Sequence, residues 1–180
     1  MSPEFESSAA RLRHSALQHG LAGQAAQEGP VVPRAKAFLL EAREIQLAAH
    51  RAGLPGDEVA KLRSDAIDIV IDALYLRAGP AAASLTLVAT GGYGRAELCP
   101  LSDIDLLVLV PAHTAETKQA VETILYPLWD VGLKVGQSVR TVAEAADYAR
   151  NDLHLHVALL ETRLLCGERS QFAQLEVRLS

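Results

Sequence analysis

Cysteine is nearly absent: the 180 residues hold two, Cys99 and Cys166, far apart and in no metal-ligand spacing. That argues against a disulfide framework and a cysteine-built metal site, and it fits two unlinked thiols in a reducing compartment. Long apolar runs are missing too. None approaches the ~20 residues needed to span a bilayer. Residues 1–20 contain no basic stretch leading into an apolar one, so no secretory signal pattern is present. Positive charge is not in excess either: 17 Lys and Arg stand against 22 Asp and Glu, a formal net charge of -5. This argues against non-specific binding to nucleic acid or to an anionic membrane. A nucleotide substrate stays open, because metal ions can offset phosphate charge. The expectation is a cytoplasmic protein with neither a nucleic-acid nor a membrane partner.

What is present is enough apolar residue, 49%, to bury a core. Residues 1–31 are rich in Ala, Gln, Ser and Gly and are expected to be a loosely ordered extension, with a short helix possible over 8–21. Residues 32–79 read as a helical lead-in. Ala35, Phe38, Leu39, Ala42, Ile45 and Ala49 make one apolar face over 32–51, and Gly53-Leu54-Pro55-Gly56 breaks it. Asp57 is the expected N-cap of a second helix reaching residue 77, so the two form an N-terminal helical hairpin. Its charges Lys61, Arg63, Asp65 and Asp68 read as a solvated face.

Residues 80–180 are the expected catalytic core. Strands are expected over 84–89, 104–110 and 133–139, a helical turn within 96–101 and a helix over 114–129. Thr141 with Glu144 is a capping-box start for a helix through residue 149. Asp152 would cap a helix over 153–165, and a last helix would begin near residue 168. His154 and His156 stand two apart, a spacing that does not bring them together on a helix. The expected fold class is α+β, a small mixed sheet flanked by helices.

The chemistry concentrates in Gly91-Gly92-Tyr93-Gly94-Arg95-Ala96-Glu97-Leu98-Cys99-Pro100-Leu101-Ser102-Asp103-Ile104-Asp105. In a strand, residues i and i+2 point to one face. Asp103 and Asp105 would then stand together, their Cα atoms about 6–7 Å apart, a pair suited to hard divalent cations such as Mg²⁺. A strand running into Gly91-Gly92 exposes backbone N–H groups in an anion-binding turn. Arg95 adds a planar cation and Ser102 a hydroxyl donor. Positioning a phosphate beside a charge-neutralising metal is what phosphoryl or nucleotidyl transfer requires.

The spacing Gly-Gly, ten residues, Asp-Ile-Asp resembles the signature of the polymerase-β-like nucleotidyltransferase superfamily. The longer run, with Leu128-Trp129-Asp130-Val131-Gly132-Leu133-Lys134-Val135-Gly136-Gln137-Ser138-Val139-Arg140-Thr141 and Leu159-Leu160-Glu161-Thr162-Arg163-Leu164-Leu165-Cys166-Gly167, resembles the N-terminal domain of the bacterial PII uridylyltransferase/uridylyl-removing enzymes. That resemblance implies that Asp103 and Asp105 bind catalytic Mg²⁺ and that Gly91 and Gly92 hold the phosphates of UTP. It also implies transfer of UMP to a tyrosine of the PII nitrogen-signalling protein, with release of pyrophosphate.

Ala96 stands where that family usually has glycine, and Gln137 where it usually has histidine. The strand matching the family's third acid carries Lys134, Gln137 and Arg140 but no carboxylate, leaving Asp152 and Glu161 as distant candidates. No His-Asp doublet occurs, so uridylyl-removing activity is expected to be absent, and the last helix, without a stop signal, is expected to belong to a C-terminally incomplete core. Two alternatives remain: a related nucleotidyltransferase with another acceptor, and a non-catalytic domain that binds nucleotide or a partner.

Overall fold

The computed structural model describes residues 2–179, apart from the side chains of His154 and Leu155. The first helix, α1 (Pro3–Gln18), lies where a loose extension was expected. Its buried Phe5, Ala9, Leu12 and Ala16 recur every three or four residues, the spacing of one helical face. Ser2 caps it, accepting from the Phe5 amide while its hydroxyl donates to Glu58 Oε2 at 2.6 Å. The many small residues concealed this face, because Ala carries little hydrophobic signal yet lets helices approach closely. A 3-10 turn (Gly23–Gln27) leads on to α2 (Val31–Arg51) and α3 (Gly56–Ala78).

On α2 the expected face residues Ala35, Phe38, Ala42, Ile45 and Ala49 are buried, Leu39 is half-buried, and Val31 is buried with them. On α3 the N-cap is Pro55 and no side chain caps it, so Asp57 lies inside the first turn. There it faces the positive end of the helix dipole together with Glu58.

The sheet contains β1 (Thr86–Ala89), β2 (Ile104–Leu109), β3 (Val135–Arg140) and β4 (Arg163–Gly167). Its order is β3-β2-β1-β4; β1 is antiparallel to both neighbours, and β2 is parallel to β3. The intervening helices are α4 (Gly91–Gly94), α5 (Ala115–Val131), α6 (Val142–Asn151) and α7 (Leu153–Leu160), and α8 (Arg169–Leu179) closes the described chain. The capping boxes of α5 (Thr114 with Thr117) and α6 (Thr141 with Glu144) are both formed.

Strand alternation splits the core. Leu87, Ala89, Ile104, Leu106 and Val108 pack into the cluster that contains α2, α3 and α5 residues such as Phe38, Ile71 and Leu128. Val88, Leu107 and Leu109 face the other way, onto Ala145 and Ala149 of α6, Leu159 of α7 and Leu175 of α8. Asp105 therefore shares the second face, at the open end of β2.

Two further expectations fail. Residues 163–167 form β4 rather than the end of a helix. Leu164 and Leu165 make a short apolar run of their own, and such a run does not separate helix from strand by periodicity; pairing with the open edge of β1 decides it. The helical turn expected within 96–101 occurs earlier, as α4, while Ala96 and Leu101 take φ values of 59° and 69°.

The Ala96 backbone has a measurable consequence. A left-handed conformation costs an L-residue roughly 1–2 kcal/mol, partly offset by the greater unfolded-state freedom of glycine. Ala96→Gly should therefore raise stability by about 0.5–1 kcal/mol. Thermal unfolding checks this through a Tm raised by about 2–3 °C.

Candidate active site

β1 ends at Ala89, and the chain turns through Thr90 into α4, the single helical turn Gly91–Gly94. The Thr90 amide donates to the Asp105 carbonyl at 3.1 Å, tying the glycine turn to the carboxylate strand. Gly91 has φ +57°. The leading N–H groups of a helix lie outside its internal hydrogen-bond ladder, so the Gly91-Gly92 turn presents donors beside Asp105.

Asp103 precedes β2, and Asp105 is its second residue; both are exposed. The Asp105 carboxyl has a raised pKa, first through partial burial and then through the charge of Asp103. A carboxylate whose ionisation a neighbouring carboxylate disfavours invites a cation. Gly136 of β3 is the cross-strand partner of Asp105. A Cβ on Gly136 would lie 2.8 Å from Asp105 Oδ1, and one on Gly91 3.9 Å from Oδ2. The space around the carboxylate thus depends on a residue that composition and spacing did not single out.

Asp105, Gly136, Thr90 and Arg140 line a cavity of about 430 Å³ floored by Leu107 and walled by Ala145 and Leu159. Arg140 stacks its guanidinium 3.9 Å from the Tyr148 ring centroid. Its Nε donates to Ser138 Oγ at 2.9 Å. The two further residues expected to meet phosphate are engaged elsewhere. Arg95 donates from Nε to Glu97 Oε2 at 2.8 Å and pairs through Nη1 with Glu161. Ser102 donates to the Cys99 carbonyl at 2.8 Å. Glu161, a distant candidate for a third acid, is committed to Arg95. Asp152 lies between α6 and α7.

The donor set fits a hard divalent ion: two carboxylates with space kept open by glycine. Among the described residues no group of three His, Cys, Asp or Glu side chains comes together. Asp103 and Asp105 would hold such an ion, with nucleotide phosphate and water as its other ligands.

Behind the glycine turn lies an anchor that sequence reasoning assigned to solvent. The buried Tyr93 hydroxyl donates to Asp68 Oδ1 at 2.6 Å, and Arg163 Nη1 donates to Asp68 Oδ2 at 2.6 Å. Arg163 Nη2 also reaches the Tyr93 carbonyl at 3.2 Å. Burial, then the charge of Asp68, pushes the Tyr93 pKa well up. One carboxylate thereby joins α3, α4 and β4. The available signal was position: Asp68 falls four residues after buried Ser64 and three before buried Ile71, at the border of the apolar stripe.

Arg163 and Asp68 are only 31% and 29% exposed. Asp68→Asn should therefore cost about 2 kcal/mol, the scale of a charged hydrogen bond lost in such a setting. Asp65→Asn, which breaks an i,i+4 pair with Lys61, should cost less than about 0.5 kcal/mol. Urea unfolding of the two variants measures the contrast.

Residues 79–165 match the family model of the nucleotidyltransferase domain. The glycine turn and the carboxylate strand both lie inside that span, which makes the chain a nucleotidyltransferase by class. Over 146 residues it is 42% identical to a bifunctional uridylyltransferase/uridylyl-removing enzyme of Rhodopseudomonas palustris, covering 80% of this chain and 15% of the relative. A protein of the same name from a Bradyrhizobium species is 39% identical over 188 residues, covering 98% of this chain and 20% of the relative. A third, from Rhodospirillum rubrum, is 48% identical over 95 residues, covering 52% of this chain and 10% of the relative. The chain belongs to this family, as a nucleotidyltransferase domain of the uridylyltransferase/uridylyl-removing type. It spans about 15–20% of the length of the first two relatives. Among the described residues no helix is long and apolar enough to cross a membrane.

Proposed function

We propose that the chain transfers UMP from UTP to a tyrosine hydroxyl of the PII nitrogen-signalling protein, releasing pyrophosphate, in a Mg²⁺-dependent reaction at Asp103 and Asp105. The observation that carries this reading is Asp105 beside Asp103, with glycine on either side of its carboxylate and Thr90, which leads into the Gly91-Gly92 turn, bonded to its backbone. The relatives' uridylyltransferase name supports the choice of nucleotide. The tyrosine of PII comes from the family resemblance.

In this reading the tyrosine oxygen attacks the α-phosphorus of UTP. The new O–P bond forms as the bond between the α-phosphorus and the bridging oxygen breaks, and pyrophosphate departs with that oxygen; the phenolic proton is released. Bound Mg²⁺ would neutralise phosphate charge and ease loss of the phenolic proton. Asp103 and Asp105 hold the metal. The N–H groups of the Gly91-Gly92 turn orient the phosphates, and Arg140 supplies a cation within the same cavity. Arg95 and Ser102 reach a phosphate only by exchanging their present partners.

The test incubates the purified chain with Mg²⁺, a PII protein and each of the four NTPs labelled at the α-phosphate. Label on a PII tyrosine from UTP alone is the expected result. Transfer to a different acceptor would replace PII in this reading. Metal-dependent nucleotide binding with no transfer to any acceptor would make the domain a binding module.

A further inference from the structure

A second cavity, of about 500 Å³, lies between α2, α3 and the two segments that feed β2 and β3. Leu39 and Leu47 of α2, Val59 and Ile67 of α3, with Pro100 and Leu133, give it apolar walls. Into this lining come Arg43 from α2 and Arg63 from α3, but no carboxylate. Arg63 is half-buried, and its Nε is fully buried with no hydrogen-bond partner among the described residues. Its pKa is lowered, first by burial and then by the charge of Arg43. A half-buried cation on an apolar wall, repelled by a second cation, is unfavourable without a counter-ion. Leu101, at the same cavity, is 89% exposed and holds φ +69°. A bulky residue with a positive φ is an outlier of backbone conformation.

We propose that this cavity binds a small organic anion, a carboxylate carried on a hydrocarbon body. The two guanidinium groups match a carboxylate in planar geometry and in charge. The apolar walls match the hydrocarbon, and the volume lies in the range of small-molecule sites. Leu101 then covers the bound hydrocarbon instead of standing in water. Pro100 and Leu101 lead directly into Ser102 and Asp103, so an occupant steadies the carboxylate loop; that consequence, unlike the cavity itself, rests on reading Asp103 as a metal ligand.

Octanoate is a suitable probe, with octanamide as its neutral counterpart. Both are titrated into the ¹⁵N-labelled 180-residue chain, and amide shifts are followed at Leu47, Arg63 and Leu101. Octanoate should produce saturable shifts at these positions, and octanamide should bind at least about tenfold more weakly, the scale of one charged hydrogen bond. Arg63→Gln and Arg43→Gln should each weaken octanoate binding by a similar factor. Arg43 is exposed, so its replacement leaves the fold intact even where Arg63→Gln perturbs packing. Equal affinity for the amide, unchanged octanoate affinity in Arg43→Gln, or the absence of saturable shifts would each overturn the proposal.

Discussion

Asp105→Asn should lower the proposed transfer by about a thousandfold and leave the fold as stable as before, or more stable, at neutral pH. Both halves follow from one carboxylate. Removing its charge removes half of the proposed metal donor set, whereas the Asn side chain occupies nearly the same volume beside Gly136. Stability moves the other way because the folded-state pKa of Asp105 is raised by burial and by Asp103. The charged form is therefore disfavoured in the folded state. At a pH below the ordinary carboxylate value the group is protonated folded and unfolded alike, and it costs nothing. As pH rises through the raised folded value the penalty develops in full. Asp105→Asn should thus gain Tm relative to wild type near pH 7, and the gain should vanish near pH 3. Paired thermal melts at the two pH values measure it. An Asp105→Asn chain that unfolds more easily at pH 7 would show that the carboxylate has a stabilising partner.

Gly94→Ala carries the largest expected loss of stability. A Cβ on Gly94 would lie 1.8 Å from the Glu161 carbonyl oxygen, 2.8 Å from its carbon and 3.1 Å from the Ala89 carbonyl oxygen. All three are backbone atoms, so no rotamer change relieves the overlap. α4 must separate from the junction of α7 and β4, dragging Tyr93 off Asp68. The cost is about 3 kcal/mol or more, a fall of roughly 10 °C in Tm for a chain of this size. Transfer activity should fall with it, because Gly91 and Gly92 ride on the same turn. Gly56→Ala is the control: nothing lies within 4 Å of its Cβ position, and its Tm should stay within about 1–2 °C.

The helical lead-in and the central strand were legible because their signals are local. The apolar stripe from Ala35 to Ala49 repeats at helical spacing, and the near-continuous run from Ile104 to Val110 suits a buried strand. The Asp-Ile-Asp motif and the glycine turn were legible as residue types at a spacing. What escaped depends on partners distant in sequence. β4 exists because β1 offers a second edge, and nothing within residues 163–167 separates strand from helix. α1 is held by Ala and Ser positions whose hydrophobicity is too weak to stand out. Asp68 and Arg63 looked alike as exposed helical charges. One now ties Tyr93 to Arg163, and the other sits unpaired in an apolar cavity. Ala96 was noticed as a departure from glycine, and its weight became clear only with its positive φ.

The proposed metal and nucleotide lie between the Asp pair and the glycine turn, and paramagnetic relaxation tests that placement most directly. Mn²⁺ with UTP is added to the ¹⁵N-labelled chain, and amide broadening is mapped along the sequence. Broadening should centre on Gly91, Gly92, Asp103, Asp105 and Gly136, spare Arg43 and Leu47 across the sheet, and disappear in Asp103→Asn/Asp105→Asn. Broadening that survives the double substitution, or that centres on any other part of the chain, would contradict the assignment of the site.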